Sequence, residues 1–390
     1  MTDNLKLLLN PQSGNGLSMQ YRKAFEKAVE LFIVAAYLTD WDSSLKLNPA
    51  CVSFRVIIGK DFGITRKAAC EAVLKWLPPE RKGQFLVADE IGGFHPKAIF
   101  WKEANGRCFA IIGSSNLTKA AFETNYEANM YSELSLDDYA KGKEWVKQIE
   151  GQCLIVAEGW LKKYNEAPRS WRTGSKKSSE QKKESNPVIA LKLPRPSGMS
   201  ERIEERRRTL ISYGKNRANL QLLFRRCANG QIDSSQLYEE LPKYWSSKKK
   251  GVGDRMQGLG WERKGKGDKL SELSRSIIRI FDAKNEERDD TVVEEIDRLT
   301  KQKVKSRGAF LSEMLCLRFP SEYPLLDKPV HKFLTKVKYR SPKGATEGVN
   351  YLFLAKTMRE SLRRAPDHPA KNLAELDTVI RLAFGKKRSR

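Results

Sequence analysis

Histidine is scarce in this chain, with three in 390 residues. The six cysteines, at positions 51, 70, 108, 153, 227 and 316, are scattered. None forms a C-x-x-C pair or joins a Cys/His cluster at zinc spacing, which excludes a zinc-finger or zinc-ribbon reading. Cys51, Cys108 and Cys153 fall in apolar runs and read as reduced core thiols. No apolar run reaches the ~20 residues of a membrane span; the longest lies near Leu31–Leu38. No Gly-Lys-Ser/Thr is present, so a nucleotide-binding P-loop is excluded. Met1-Thr2-Asp3-Asn4 lacks a basic stretch and a small-residue cleavage site, so no signal peptide and a cytoplasmic location are expected.

What is abundant is positive charge, and it is unevenly placed. Lys and Arg number 72 against 48 Asp and Glu, for a net charge of +24. Residues 1–168 hold 21 basic and 20 acidic side chains, whereas residues 169–390 hold 51 and 28. A neutral half joined to a strongly basic half is the electrostatic footprint of a nucleic-acid partner, with DNA favoured. No lipid-anchoring feature accompanies the charge, so no membrane partner is expected.

The pattern along the chain predicts an α/β fold. Strands are expected at Leu31–Leu38, Phe54–Ile58, Phe85–Ala88, Phe94–Trp101, Phe109–Ile112 and Glu127–Leu134. Helices are expected at Tyr21–Glu30, at Thr65–Leu77 before Pro78-Pro79, and as one long segment Asp137–Tyr164. Continuous apolar strands alternating with helices imply a mixed sheet flanked by helices, spanning 1–165. Residues 166–200, rich in Ser, Lys and Pro, read as a linker. From 201 to 390 the pattern is mainly α-helical, with helices expected over 200–226, 270–284, 291–301, 310–318, 330–336, 349–364 and 373–384.

One stretch carries chemistry. Phe94-His95-Pro96-Lys97 places a histidine and a lysine two apart, which on a strand share a side. Gly113-Ser114-Ser115-Asn116 closes the next apolar strand, and Asn125-Tyr126-Glu127 follows. These supply a nucleophile, a cation, donors for phosphate oxygens and a carboxylate. Phosphodiester chemistry without a metal needs that set. Ser114 rather than Ser115 is the expected hydroxyl, and Thr118 the expected cap of a following helical turn. A metal site built from Asp89, Glu90 and Glu103 is the weaker reading.

His95-x-Lys97, Gly113-Ser114-x-Asn116 and Asn125-x-Glu127 together resemble the phospholipase D superfamily, and within it the single-motif nuclease branch, over roughly the first 165 residues. Many members carry an aspartate five residues after the lysine; here that position is Lys102. The departure speaks against a typical lipid hydrolase. The resemblance implies a metal-independent endonuclease with no cofactor. It also implies a homodimer through the catalytic domain, since one motif per chain provides one histidine and the reaction uses two. His95 would form a phosphohistidine. Lys97 and Asn116 would bind non-bridging oxygens, Ser114 would orient the phosphate or the lysine, and Glu127 would hold the imidazole. Two alternatives remain open: a phospholipid phosphodiesterase or transferase, and a non-catalytic nucleic-acid-binding subunit.

In the basic half, Lys248, Lys249, Lys250 and Arg255 lead into Trp261, Arg263, Lys264 and Lys266 among glycines. Such a segment suits phosphate contact with Trp261 stacked on a base. Residues 386–390 form a basic tail. The stretch 310–327 resembles a helix-turn element of helical modules in bacterial defence proteins, which implies a restriction or anti-phage setting and a regulatory partner protein. His331 and His368 read as structural or surface residues. No motif distinguishes DNA from RNA or reveals a recognition site.

Overall fold

The computed structural model describes residues 5–11, 16–168, 190–245, 256 and 267–385. They fall into two compact units, Met1–Val188 and Ile189–Arg390.

The first unit is built on an eight-stranded mixed sheet. Its strands are β1 (Lys6–Asn10), β2 (Ala28–Ala35), β3 (Ser53–Ile58), β4 (Phe85–Val87), β5 (Lys97–Glu103), β6 (Cys108–Gly113), β7 (Glu127–Leu134) and β8 (Leu154–Ile155). The order across the sheet is β1-β7-β6-β5-β2-β3-β4-β8. Only β2–β3 and β3–β4 are parallel. The helices are α1 (Gly16–Lys27), α2 (Lys67–Trp76), α3 (Lys119–Glu123), α4 (Leu136–Glu150) and α5 (Glu158–Lys163).

Helices cover both faces of the sheet, which is why its central strands are apolar throughout. Phe25 of α1 and Trp76 of α2 pack on Phe54. Phe54 lies in the row with Leu31 and Trp101, and Trp101 stacks with Phe109. One residue on, side chains point to the opposite face. There Phe32 pairs with Phe100, and Trp145 of α4 meets Phe100 edge-on.

The expected helix Asp137–Tyr164 is three elements. It stops at Glu150, and Leu154 and Ile155 pair with Val87 and Leu86 of β4 before α5 begins. The apolar run at 153–156 supplies the backbone partners that the open edge of β4 requires. The expected strand at Phe94 starts instead at Lys97, because Pro96 has no N–H to give a ladder. β1 was not visible in the sequence pattern.

Every described element of the second unit is helical: Met199–Ala228, Ser234–Glu240, Leu270–Asp282, Asn285–Lys301, Ala309–Arg318, Lys328–Lys336, Glu347–Arg363 and Leu373–Phe384, with short 3-10 turns between. The Ser234–Glu240 helix, held by a capping box of Asp233 and Gln236, goes beyond the expected set. Residues 190–196, read in the sequence as linker, pack on this unit: the Leu191 N–H donates to Ser361 Oγ (2.8 Å), and Pro194 O accepts from His368 Nε2 (3.2 Å). His368 is fully buried.

Most described arginines of this unit are consumed internally. Arg206 pairs with Asp377 in the interior (2.8 Å), and Arg298 and Arg279 converge on the fully buried Glu295. Arg288 binds Glu322 and lies 4.0 Å from the Phe319 ring centroid. Among the described residues no helix is long and apolar enough to cross a membrane.

Candidate active site

The strand registers decide where the motif residues meet. Ala35 faces Lys97, Ala98 faces Ile112, Gly113 faces Asn129, and Asn10 faces Glu127. The ends of β1, β2 and β6 and the starts of β5 and β7 therefore share one end of the sheet. His95, Lys97, Ser114, Asn116 and Glu127 all belong to that end.

His95 sits in the loop ahead of β5 and is exposed. Lys97 Nζ lies 3.0 Å from its Nδ1 and 3.3 Å from its Nε2, and donates to its backbone oxygen at 3.2 Å. The pair thus meets through a bent segment rather than along a strand. The Tyr37 ring stands edge-on to the imidazole, with centroids 5.7 Å apart. Tyr37 is itself fixed, because its backbone N–H donates to Asn116 Oδ1 at 3.1 Å. That bond orients the Asn116 amide and leaves its NH₂ as a donor. Asp61 Oδ2 accepts from the Gly93 N–H (3.0 Å) and so holds the loop that precedes His95.

Ser114 and Ser115 differ in their surroundings. Ser115 is buried, with its hydroxyl accepting from Asn129 Nδ2 at 2.9 Å. Ser114 is exposed; its hydroxyl donates to Glu127 and accepts from the Ala128 N–H (3.0 Å). Gly113 permits this close approach: a Cβ there would lie 2.4 Å from both Ala128 O and Asn129 Oδ1. Thr118 caps α3 by accepting from the Ala121 N–H at 3.0 Å.

Glu127 accepts from Ser114 and from Asn125 Nδ2 (3.2 Å). The expected bond from Glu127 to the imidazole is not among its contacts within one chain; the cation beside the ring is Lys97. Burial holds the Lys97 ammonium below the ordinary lysine pKa, and the negative charge of Glu127 opposes that shift. Burial, reinforced by the charge of Asp61, raises the Tyr37 hydroxyl.

The carboxylates considered for a metal do not gather. Asp89 is buried at this end of the sheet, paired with Lys60 (3.0 Å) and accepting from Trp160 Nε1 (2.8 Å). Glu103 ends β5 at the opposite end. Among the described residues no group of three or more His, Cys, Asp or Glu is placed to hold a metal ion. Lys248, Lys249, Lys250, Arg255, Trp261, Arg263, Lys264 and Lys266 lie outside the described residues. Tyr37 and Asn129 escaped the sequence reading. The signal for Tyr37 was its place at the end of the apolar run that Thr39-Asp40 closes.

Beside the site the sheet is bare. Leu7, Met130 and Ile112 form one row across β1, β7 and β6, exposed by 61%, 50% and 52%. Leu5 and Leu9 extend it along the edge strand, at 48% and 41%. Tyr126, next to Glu127, is 83% exposed.

No protein-family model matches the chain, and no curated protein does. Among solved structures it is similar to NucT from Helicobacter pylori, at 17% identity and a TM-score of 0.29 over 39% of this chain and 98% of that one. It is also similar to Nuc, a phospholipase D family member from Salmonella typhimurium, at 17% identity and a TM-score of 0.31 over 39% and 97%.

Proposed function

We propose that this protein is a metal-independent phosphodiesterase acting as a DNA endonuclease, with two copies of the chain joined at their candidate active sites. The observation that carries the reading is the contact of Lys97 Nζ with both nitrogens of an exposed imidazole, at 3.0 and 3.3 Å. A cation there stabilises negative charge as it builds on phosphate oxygens.

In the first step a His95 ring nitrogen attacks phosphorus and the P–O bond to the leaving oxygen breaks. The partner subunit's His95, protonated, gives that oxygen its proton. In the second step the same neutral imidazole takes a proton from water, whose oxygen attacks phosphorus and releases the first histidine. Lys97 and the Asn116 amide bind non-bridging oxygens. Glu127 and Ser114 form a hydrogen-bonded pair that positions the strand ends. The exposed row Leu7, Met130 and Ile112 supports a two-fold contact, because apolar rows of this kind on an edge strand favour a cover. The ring of Tyr126 suits stacking on a base.

The test is incubation with plasmid, linear DNA, RNA and liposomes in EDTA. The reading expects nicking or cleavage of DNA and its loss in His95→Ala. Head-group release from liposomes would favour a lipid phosphodiesterase, and DNA binding without cleavage a non-catalytic subunit.

A further inference from the structure

The second unit holds a cavity of about 440 Å³, within the range of small-molecule sites. It opens between two apolar clusters: Leu311 and Leu315 belong to one, Leu334 and Leu354 to the other. Tyr339 and Tyr351 also line it.

Two buried polar atoms of the wall, the Tyr339 hydroxyl and Asn350 Oδ1, meet no hydrogen-bond partner among the described residues. Asn350 Oδ1 is buried and accepts no hydrogen bond, while its Nδ2 donates to Ala345 O at 3.4 Å. A buried acceptor left unmet is costly unless a ligand meets it.

One wall of the cavity is the segment 328–343, which contains six Lys and Arg and no acid. All six are exposed. Lys328, Lys336, Lys338 and Arg340 make no ion pair among the described residues, in contrast to the paired arginines of the same unit. Arg307, also in the wall, is neutralised by Glu347 (3.0 Å). Lys338 and Arg340 alternate in the chain with Tyr339 and Ser341, which line the cavity. The segment also holds an unfavourable conformation. Lys338 has φ +55°, at a helix end where Tyr339 N–H bonds Leu334 O (2.9 Å) and Lys338 N–H bonds Thr335 O (3.1 Å). Glycine is usual in that position. The turn leads directly into Tyr339, which lines the cavity.

We propose that this cavity binds a nucleotide: an amino-bearing base, adenine or cytosine, enters between the apolar walls and gives its exocyclic N–H to Asn350 Oδ1, while the phosphate lies toward Lys338 and Arg340, on either side of Tyr339. The base arrives either on a free nucleotide or extruded from a strand. The inference rests on the reading of the chain as acting on nucleic acid.

The full-length protein is titrated calorimetrically with dAMP and dTMP. In parallel, a DNA strand carrying 2-aminopurine, whose fluorescence rises on unstacking, is titrated with protein. Two variants accompany each arm. Thr335→Trp fills the opening from an exposed position, and Asn350→Leu removes the acceptor with little change in volume. Saturable binding of dAMP, at least ten-fold tighter than dTMP and lost in both variants, is expected. A fluorescence rise that Thr335→Trp abolishes assigns the source to a strand; dAMP binding without a rise assigns it to the free nucleotide. No saturable signal in either arm, or a signal unchanged in both folded variants, overturns the proposal. Cleavage in EDTA is measured on the same preparations. An active nuclease with an empty cavity fails this inference alone, and an occupied cavity without cleavage fails the nuclease reading alone.

Discussion

The side-chain oxygen of Asn116 lies 3.1 Å from the backbone nitrogen of Tyr37, and so ties the loop after β6 to the end of β2. The consequence reaches His95, because the ring that Asn116 fixes in place is the one packed edge-on to the imidazole. Asn116 therefore has two jobs, held by its two ends: the oxygen accepts from the Tyr37 backbone and the NH₂ is left as a donor. Asn116→Asp separates them. It keeps the acceptor and replaces the donor with charge, so cleavage should fall by ~10²–10³-fold, the usual cost of losing one oxyanion donor, with thermal stability nearly unchanged. Steady-state cleavage rates and a melting curve on the same sample check this.

Tyr37 is a positioning residue in this account. Tyr37→Phe keeps the ring and should cleave at close to the parent rate. Tyr37→Leu loses an edge-to-face contact of ~0.5–1.5 kcal/mol and should cleave about ten-fold more slowly. Equal rates in the parent, Phe and Leu proteins would remove Tyr37 from the site.

Lys97 titrates below ordinary lysine because it is partly desolvated, and Glu127 holds it up. Removing the anion should lower it further. In protein labelled at lysine Cε, the resonance that Lys97→Arg deletes should titrate below the other lysines. Glu127→Gln should move it further down. A shift upward would mean that Glu127 does not act on Lys97.

Gly113→Ala tests the close approach of β6 to β7. The added methyl has Ala128 O and Asn129 Oδ1 at 2.4 Å, both atoms of the neighbouring strand. A loss of at least ~1–3 kcal/mol in urea unfolding is expected, the cost of overpacking. In the second unit the opposite sign is expected for Lys338→Gly, which relieves a left-handed lysine at a cost otherwise of ~1–2 kcal/mol. That variant should unfold at higher urea, by no more than about 1 kcal/mol once the entropy of glycine is counted.

The centre of the sheet was readable because its strands are apolar on both faces, so β3 stands within a residue of the span that pattern alone suggests. Periodicity failed where a short apolar run served an edge: Leu154 and Ile155 complete β4, and nothing local separates them from the helices on either side. β1 escaped for the same reason, since Leu7-Leu8-Leu9 is a short apolar run whose role shows only when β7 lies beside it. The motif residues were legible because their chemistry is rare in so histidine-poor a chain. Their contacts were not. That Glu127 binds Ser114, and that Tyr37 backs His95, depends on strand ends 13 and 58 residues apart meeting in register, which spacing does not encode.

The most direct measurement is capture of the covalent intermediate. DNA carrying radiolabelled phosphate is mixed with the full-length protein in EDTA and quenched in alkali within the first turnover. The account predicts label on the protein that survives alkali, leaves in acid as a phosphoramidate does, and is absent from His95→Ala. Robust cleavage in EDTA with no protein-bound label at any time, or label that persists in His95→Ala, would contradict it.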